Sequence, residues 1–528
     1  MAQVAVVLTP LAAGDRYKFR IQGPDGALHE KSDPVAFFSE DPDGTEHASR
    51  IAPPSDFPWT DGEYLAQRAE RDPAATDIIY KFDMGSFLKP HADGTYPNYR
   101  DVAEALATEA KRLGYTQVEP LPIAESPFRG SRGYHVTGQF APTARYGNPD
   151  DFRAFVNTLH EHGIGVINDA VLVHFPKDAF GLTRFDGTAL FEHDNPLVAE
   201  LPDWGSLYYD IEKPEVRSFL KSAAKRWVDK SPGGFHEDGN RFDGWAAGLY
   251  PGYSKNEFVD YTGHPDAAQF GYANYKYPFI NFMRELNEGL TRADPNVRLG
   301  AEESTGFDVW GVGHTSKWDL GYANDTADFL KQPFEARNNE DVLQHLVQAL
   351  TYANGKFIYP WSHDEVTHGK GSLYEKVPGT HAQKLAQLRL LKFHEAMMPG
   401  DKLNMAGNEF GQKAEWNEWD HRRTEDLRDA GHRGVLETTR SMNHLIQEEP
   451  ALSKVTPWGF RKHNEEGKAV VTLYRKGPAM RTTSSWSKTG SPRTRDSSFP
   501  SPAWGPMRRL RTRTRSSSGG STAATSAM

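Results

Sequence analysis

None of the 528 residues is cysteine, so neither a disulfide framework nor a thiolate metal site is available, in keeping with a reducing, cytoplasmic setting. Long apolar runs are missing too. The opening MAQVAVVLTPLAAGD is too short to span a bilayer and lacks the basic start of a secretory signal, so no membrane partner is expected. Positive charge is scarce over most of the chain. The formal net charge is −10, yet nine Lys and Arg face a single acid from Gly477 onward, which leaves the body more acidic than the whole and disfavours a nucleic-acid partner. Three common site motifs also fail on spacing. His363 and His368 are five apart where a zinc-protease helix needs four, and His394-Glu395 has no second His. HGKGS lacks the first glycine of a phosphate loop, and GVGHTS has Ser316 where a dinucleotide fingerprint needs glycine.

What is present is a large apolar inventory, 38% hydrophobic and 12% aromatic, enough for a sizeable core and several domains. Residues 1–55 contain short alternating runs broken by Gly, Pro and Asp, as in a truncated β-sandwich, and residues 56–76 read as a Pro- and Trp-rich linker. From 77 to 430 eight β-type runs recur with helical patterns between them: DIIYKFDMGSF, GYTQVEPLPI, GIGVINDAVLVHF, GNRFDGWAA, NVRLGAEEST, SKWDLGY, KFIYPWSHDE and KLNMAGNEF. DVAEALATEAKRLG and DDFRAFVNTLHEHG place apolar residues at helical spacing and end in Gly. This alternation predicts an α/β protein built on a (β/α)₈ TIM barrel. Residues 431–476 hold GKAVVTLYRKG, the remnant of a C-terminal β-domain, and 477–528 are Arg-, Ser-, Thr- and Pro-rich, which predicts a disordered basic tail.

In such a barrel the carboxyl ends of different strands converge on one mouth. The third run ends with Asp169 and His174, the fourth with Arg241 and Asp243, the fifth with Glu302 and Glu303, and the seventh with His363 and Asp364. Crowded carboxylates raise at least one pKa and separate an acid from a base or nucleophile, the arrangement a retaining glycosidase uses. Asp169 alone reads equally well as structural, whereas Asp243, Glu302 and Asp364 together are costly to bury unless used. Trp310, Trp318, Trp416 and Trp419 read as packing residues and stay outside the site.

NDAVLVHF, DGNRFDGWAAGLY, AEEST and WSHDEVTHGKGSL resemble, in order, the four signature segments of the α-amylase superfamily. Together with GYHVTGQFAPTARYGNPDDF, KWDLGYANDT and MAGNEFGQKAEWN, they resemble the 1,4-α-glucan branching enzymes in particular, from about Asp15 to about Leu452. The resemblance implies that Asp243 is the nucleophile, Glu302 the acid and base, and Asp364 the residue that holds the sugar hydroxyls in the transition state. Glu303 competes for the acid's place, and its position in the motif favours Glu302. Arg241 is implied to keep Asp243 ionised and Asp169 to orient that Arg. His174 and His363 would hydrogen-bond the sugar while Tyr134 stacks beneath it. The implied partner is an α-1,4-glucan, with no redox or nucleotide cofactor and no metal. With water in place of the acceptor hydroxyl the same site is an amylase-type hydrolase.

The chain also departs from the family pattern. Arg132 stands where a Trp is usual, next to Tyr134. Ala170, Val173 and Asn240 also differ, and both flanking β-modules are short. These changes keep a third reading open, a glucan-binding protein without turnover. They also predict that Arg132 draws toward Glu125, Asp243 or Glu302 and lowers the pKa of whichever acid it meets.

Overall fold

Helix signals and strand signals alternate along the chain, and in the computed structural model they close on each other. The structure describes residues 11–477 apart from 45, 251, 255–275, 352, 455, 466 and 467, so the expected basic tail lies outside the described residues except at Gly477. Eight parallel strands form a closed barrel: β1 Ile78–Phe82, β2 Gln117–Pro120, β3 Gly165–Ala170, β4 Gly239–Phe242, β5 Arg298–Ala301, β6 Ser316–Trp318, β7 Phe357–Trp361 and β8 Asp401–Met405. Seven fall within predicted runs, and β8 begins one residue before its run, at Asp401. β8 returns to β1 with Lys402 opposite Ile78 and Met405 opposite Lys81, so no edge is left open. Ile79, Ile167, Trp318, Ile358 and Leu403, from five of the strands, form their own buried cluster, the packed interior expected of such a barrel.

The covering helices show why their sequences stop where they do. Helix α1, Tyr99–Leu113, starts at a capping box between Asn98 and Asp101 and ends at Gly114, whose φ of 77° a residue with a Cβ adopts only at a cost. It buries Val102, Ala103, Leu106, Ala107, Ala110 and Leu113, one face at helical spacing. Helix α2, Pro149–Glu161, opens with Pro149 behind another capping box, Asn148 with Asp151. The remaining covering helices are α3 Pro214–Val228, α4 Tyr277–Ala293, α5 Leu320–Lys331, α6 Glu340–Thr351, α7 His381–Met397 and α8 Ala430–Glu448. Between β5 and β6 the described chain forms only a 3₁₀ turn, Val309–Val312, since Gly306, Gly311 and Gly313 in GFDVWGVG disfavour a longer helix.

Three expected boundaries move. The barrel does not stop at 430: α8 begins there and buries Val435, Leu436, Thr439, Met442 and Ile446, an amphipathic stripe that completes the helical ring. The linker 56–76 contains a helix, Gly62–Glu70, pinned beneath the barrel by ion pairs from Arg68 to Asp238 at 2.7 Å and Asp294 at 2.8 Å. The first module forms no pair of packed sheets among the described residues. It consists of two small ladders, Arg16–Tyr17 with Ser49–Arg50 and Phe19–Gln22 with Leu28–Lys31, because its strands are too few and too short to make two layers. Lys31 ties it to the barrel by donating from Nζ to the carbonyls of Ala179 and Thr183, each at 2.6 Å. After α8, Trp458–Glu465 and Lys468–Arg475 pair as one antiparallel hairpin. Among the described residues no helix is long and apolar enough to cross a membrane.

Candidate active site

Arg241 organises the mouth of the barrel. It leaves the end of β4 almost fully buried, and its guanidinium lies 4.5 Å from the Trp318 ring, which supports it from below. Its Nη1 donates to Asp169 Oδ1 at 2.5 Å and to Asp243 Oδ1 at 2.7 Å, while Nη2 pairs with Glu302 Oε1 at 2.9 Å. Three carboxylates from β3, β4 and β5 therefore share one planar fork. The other Glu302 oxygen accepts from the Gly244 N–H at 2.7 Å. Asp364, half exposed after β7, approaches His363 Nε2 at 3.4 Å. Tyr134 donates its hydroxyl to Asp169 Oδ2 at 3.0 Å and stacks on the His363 ring at a centroid distance of 5.5 Å. His174 Nε2 stands 3.9 Å from Asp243 Oδ2. All eight predicted site residues are thus gathered around one place. Asp243, Glu302, Asp364, Tyr134, His174 and His363 line a cleft of 520 Å³, with Arg241 and Asp169 forming its floor.

Lys81 is a floor residue the sequence reading missed. Fully buried in β1, it pairs with Glu119 at 2.6 Å and with Asp169 Oδ2, the oxygen that also accepts from Tyr134, at 2.8 Å. A charge inside the apolar run IIYKF was the available signal. Trp204, packed 4.8 Å from the His174 ring, and His368 also line the cleft; Trp204 sits in no motif that would have marked it, whereas His368 lies within WSHDEVTHGKGSL and was weighed only as a zinc ligand.

The electrostatics follow from burial. Burial pushes the Asp243 carboxyl well above the usual range; Arg241 opposes this, and Glu302, Asp169 and Asp364 add to it. Glu302 is raised for the same reason, against Arg241 and with Asp364 adding. Burial acts on Asp169 too, but Arg241 and Lys81 outweigh it and hold that carboxyl low. Asp364 is also held low, since His363 while it is protonated, and Arg241, Lys81 and Lys370 throughout, outweigh its burial. Arg241 therefore divides its charge among three partners rather than serving Asp243 alone. Lys81 and Arg241 together face more carboxyls than they can neutralise, in keeping with the raised Asp243, Glu302 and Glu119. Burial lowers both His174 and His363 to about 3, so both rings are neutral near pH 7.

Two further questions left by the sequence are answered by geometry. Glu303 points away from the cleft: Oε2 pairs with Lys317 at 2.6 Å and Oε1 accepts from the Thr305 N–H at 2.7 Å. Arg132 takes a left-handed backbone, φ 55°, and its guanidinium meets His368 Nε2, approaches Glu418 at 3.9 Å and lies 6.0 Å from the Trp416 ring. It pairs with none of Glu125, Asp243 or Glu302, which corrects the expectation that it perturbs one of them. Glu125 instead accepts from Thr143 at 2.9 Å and from the Ala144 N–H at 2.8 Å. Among the described residues no group of three His, Cys, Asp or Glu is placed to hold a metal ion.

No family model matches the chain. Individual relatives do. The 1,4-alpha-glucan branching enzyme GlgB of Rhodococcus jostii is 40% identical over 484 residues, covering 88% of this chain and 63% of the relative. The GlgB of Aquifex aeolicus is 39% identical over 491 residues, covering 89% and 74%. That of Pseudomonas aeruginosa is 40% identical over 455 residues, covering 84% and 59%. The chain thus spans roughly three fifths of the length of several such relatives. Among solved structures, a Salmonella typhimurium protein described as an alpha amylase superposes with a TM-score of 0.61 at 18% identity, covering 86% of this chain and 81% of that one, a likeness of fold.

Proposed function

This chain belongs to the 1,4-alpha-glucan branching enzyme family, and on that premise we propose that it cuts an α-1,4-glucan and transfers the released segment to a glucan 6-hydroxyl, forming an α-1,6 branch. The observation that carries the proposal is the Arg241 fork. One guanidinium spans Asp243 and Glu302 at 2.7 and 2.9 Å, which keeps the two carboxyls close enough to act on the same glycosidic bond from opposite sides.

In the first half-reaction Asp243 Oδ attacks the anomeric carbon, the C1–O4 bond breaks, and Glu302 gives its proton to the departing O4. Glu302 carries the proton when Asp243 attacks as the anion. Arg241 then stabilises whichever carboxyl is charged, so the proton shifts without leaving an uncompensated buried charge. In the second half-reaction an acceptor 6-hydroxyl attacks the same carbon, its proton passes to Glu302, and the C1–Asp243 bond breaks with its electron pair returning to the carboxylate. Asp364, held ionised, faces the sugar hydroxyls and the positive charge that develops on the ring in both transition states. Neutral His174 and His363 retain one N–H donor each for the same sugar, and Tyr134 lies beneath it, its ring fixed by His363 and its hydroxyl by Asp169.

Amylose incubated with the protein distinguishes the candidate reactions when α-1,6 linkages are counted by proton NMR alongside reducing ends. New branches without matching new reducing ends are expected. Reducing ends alone would identify a hydrolase, and neither product would identify a binding protein.

A further inference from the structure

The loop after β7 carries Asp364 and runs on through VTHGKGS into a short helix, Leu373–Lys376. Its backbone is not one that a chain holds by itself. His368, Gly369 and Gly371 take positive φ, at 58°, 76° and 73°. For His368, which has a Cβ, that conformation costs free energy and persists only where the surroundings hold it. The two glycines leave many other shapes open, so bonds from outside the local backbone have to select this one.

Two lysines supply such bonds in series. Lys376 Nζ donates to the carbonyls of Lys370 and Gly371 at 2.5 and 2.8 Å. Lys370 Nζ donates in turn to the Asp364 carbonyl at 2.7 Å, closing the loop back on the residue that faces the sugar. The far end is anchored to the segment after β8: the Gly371 N–H donates to Glu415 Oε1 at 3.0 Å and the Ser372 hydroxyl to the Lys413 carbonyl at 2.7 Å. Lys370 is exposed, and a bond from an exposed side chain holds little when its own backbone is free to move. Lys376 removes that freedom. It is half-buried, and burial pushes its ammonium down to about 8, with Lys331 adding, Glu365 and Glu415 opposing, and Lys370 adding. A charge drawn partly out of water is costly unless its hydrogen bonds are used, and here both go to this loop.

We propose that Lys376, acting through Lys370, is a positioning residue of the reaction, setting where the Asp364 carboxylate stands relative to the sugar in the transition state. The inference rests on the role given to Asp364 above. Neither lysine is among the described residues that line the cleft, so both act through the loop. Lys370 also contributes to the positive charge that keeps Asp364 ionised. Because Asp364 acts chiefly in the transition state, a displaced carboxylate lowers kcat and leaves KM nearly in place. A misplacement of about 1 Å is enough to cost up to about 10²-fold in rate.

Lys376→Met keeps the side-chain stem and removes both donors, Lys376→Arg keeps a charged donor, and Lys370→Met, at an exposed position where folding is little affected, removes the next link. Turnover is followed by the loss of amylose–iodine absorbance, which transfer and hydrolysis both cause, so the result does not depend on which acceptor is used. Each Met variant is expected to lower kcat about 10-fold with KM unchanged within about 2-fold, and Lys376→Arg to recover most of the loss. On an Asp364→Asn background, assayed with more enzyme, the same Met substitutions should change kcat by less than about 2-fold, because the group they displace is already disabled. Parental kcat in both Met variants, beside an impaired Asp364→Asn, would overturn the positioning role alone. So would a 10-fold fall that persists undiminished on the Asp364→Asn background, since the lysines would then act by another route. Parental kcat in Asp364→Asn itself would remove the role given to Asp364, and the positioning role with it.

Discussion

Replacing Lys81 with Met tests the floor of the site, because the substitution keeps the side-chain length and removes only the charge. Lys81 is fully buried, with Glu119 at 2.6 Å and Asp169 at 2.8 Å and its ammonium 5.4 Å from the Trp318 ring. Asp169 would keep Arg241 and Tyr134 as partners, so it survives the change as an anion. Glu119 would lose its cation and be left as a buried carboxyl. Burial already pushes Glu119 above the usual carboxylate range even against Lys81, and without Lys81 it rises further and takes up a proton. Breaking a buried pair by deleting one partner typically costs about 3–5 kcal/mol. The pH dependence has a definite sign. A carboxyl whose folded pKa lies above its unfolded value of about 4.3 binds more protons folded than unfolded, so stability falls as pH rises between those two values, by about 1.4 kcal/mol per unit. The penalty is therefore expected to be smallest near pH 4–5 and to grow toward neutrality. Urea unfolding followed by tryptophan fluorescence at several pH values measures it, and Lys81→Met with Glu119→Gln should recover most of the loss, since both partners are then neutral. A loss below about 1 kcal/mol, with no pH dependence and no recovery in the double variant, would refute the reasoning.

Four further outcomes follow from the site. Asp243→Asn should reduce turnover by at least about 10⁴-fold while glucan binding persists, because the amide keeps the shape but cannot attack; near-normal turnover would remove Asp243 from the nucleophile's place. Glu302→Gln should reduce kcat by about 10²–10⁴-fold and abolish the alkaline limb of the pH profile, which arises as Glu302 loses the proton that burial holds on it. Glu303→Gln should instead lower the melting temperature by unpairing Lys317 while leaving the pH profile in place, and the reverse pattern would exchange their roles. Arg132→Trp should leave the alkaline limb unmoved, since Arg132 engages His368 and Glu418 rather than either raised acid; a displaced limb would mean that the guanidinium reaches the cleft floor.

The strands and the polar residues at their carboxyl ends were legible in the linear order of residues, because both depend on local rules. Alternating and apolar runs punctuated by Gly, Asn and Pro locate all eight strands, and polar residues just past those runs stand at the barrel mouth. The helical ring was less legible: α8 was assigned to a different region because its amphipathic stripe follows a gap of loops, and the helix Gly62–Glu70 was hidden by the Pro- and Trp-rich segment before it. Which of these charges meet depended on tertiary structure. Glu302 and Glu303 are chemical equals in a sequence, but consecutive residues at a strand end project to opposite sides, so barrel closure sends one to Arg241 and the other to Lys317. Lys81 and Asp169 lie 88 positions apart and meet only because β1 and β3 flank β2 in the closed sheet. Arg132 is the same case in reverse. Its neighbour Tyr134 suggested a pairing with an active-site acid, yet Arg132 lines the cleft with its side chain turned to His368, which local sequence cannot reveal because the partner is supplied by the loop after β7. Local propensity determines which elements form, while register and closure determine which charges meet.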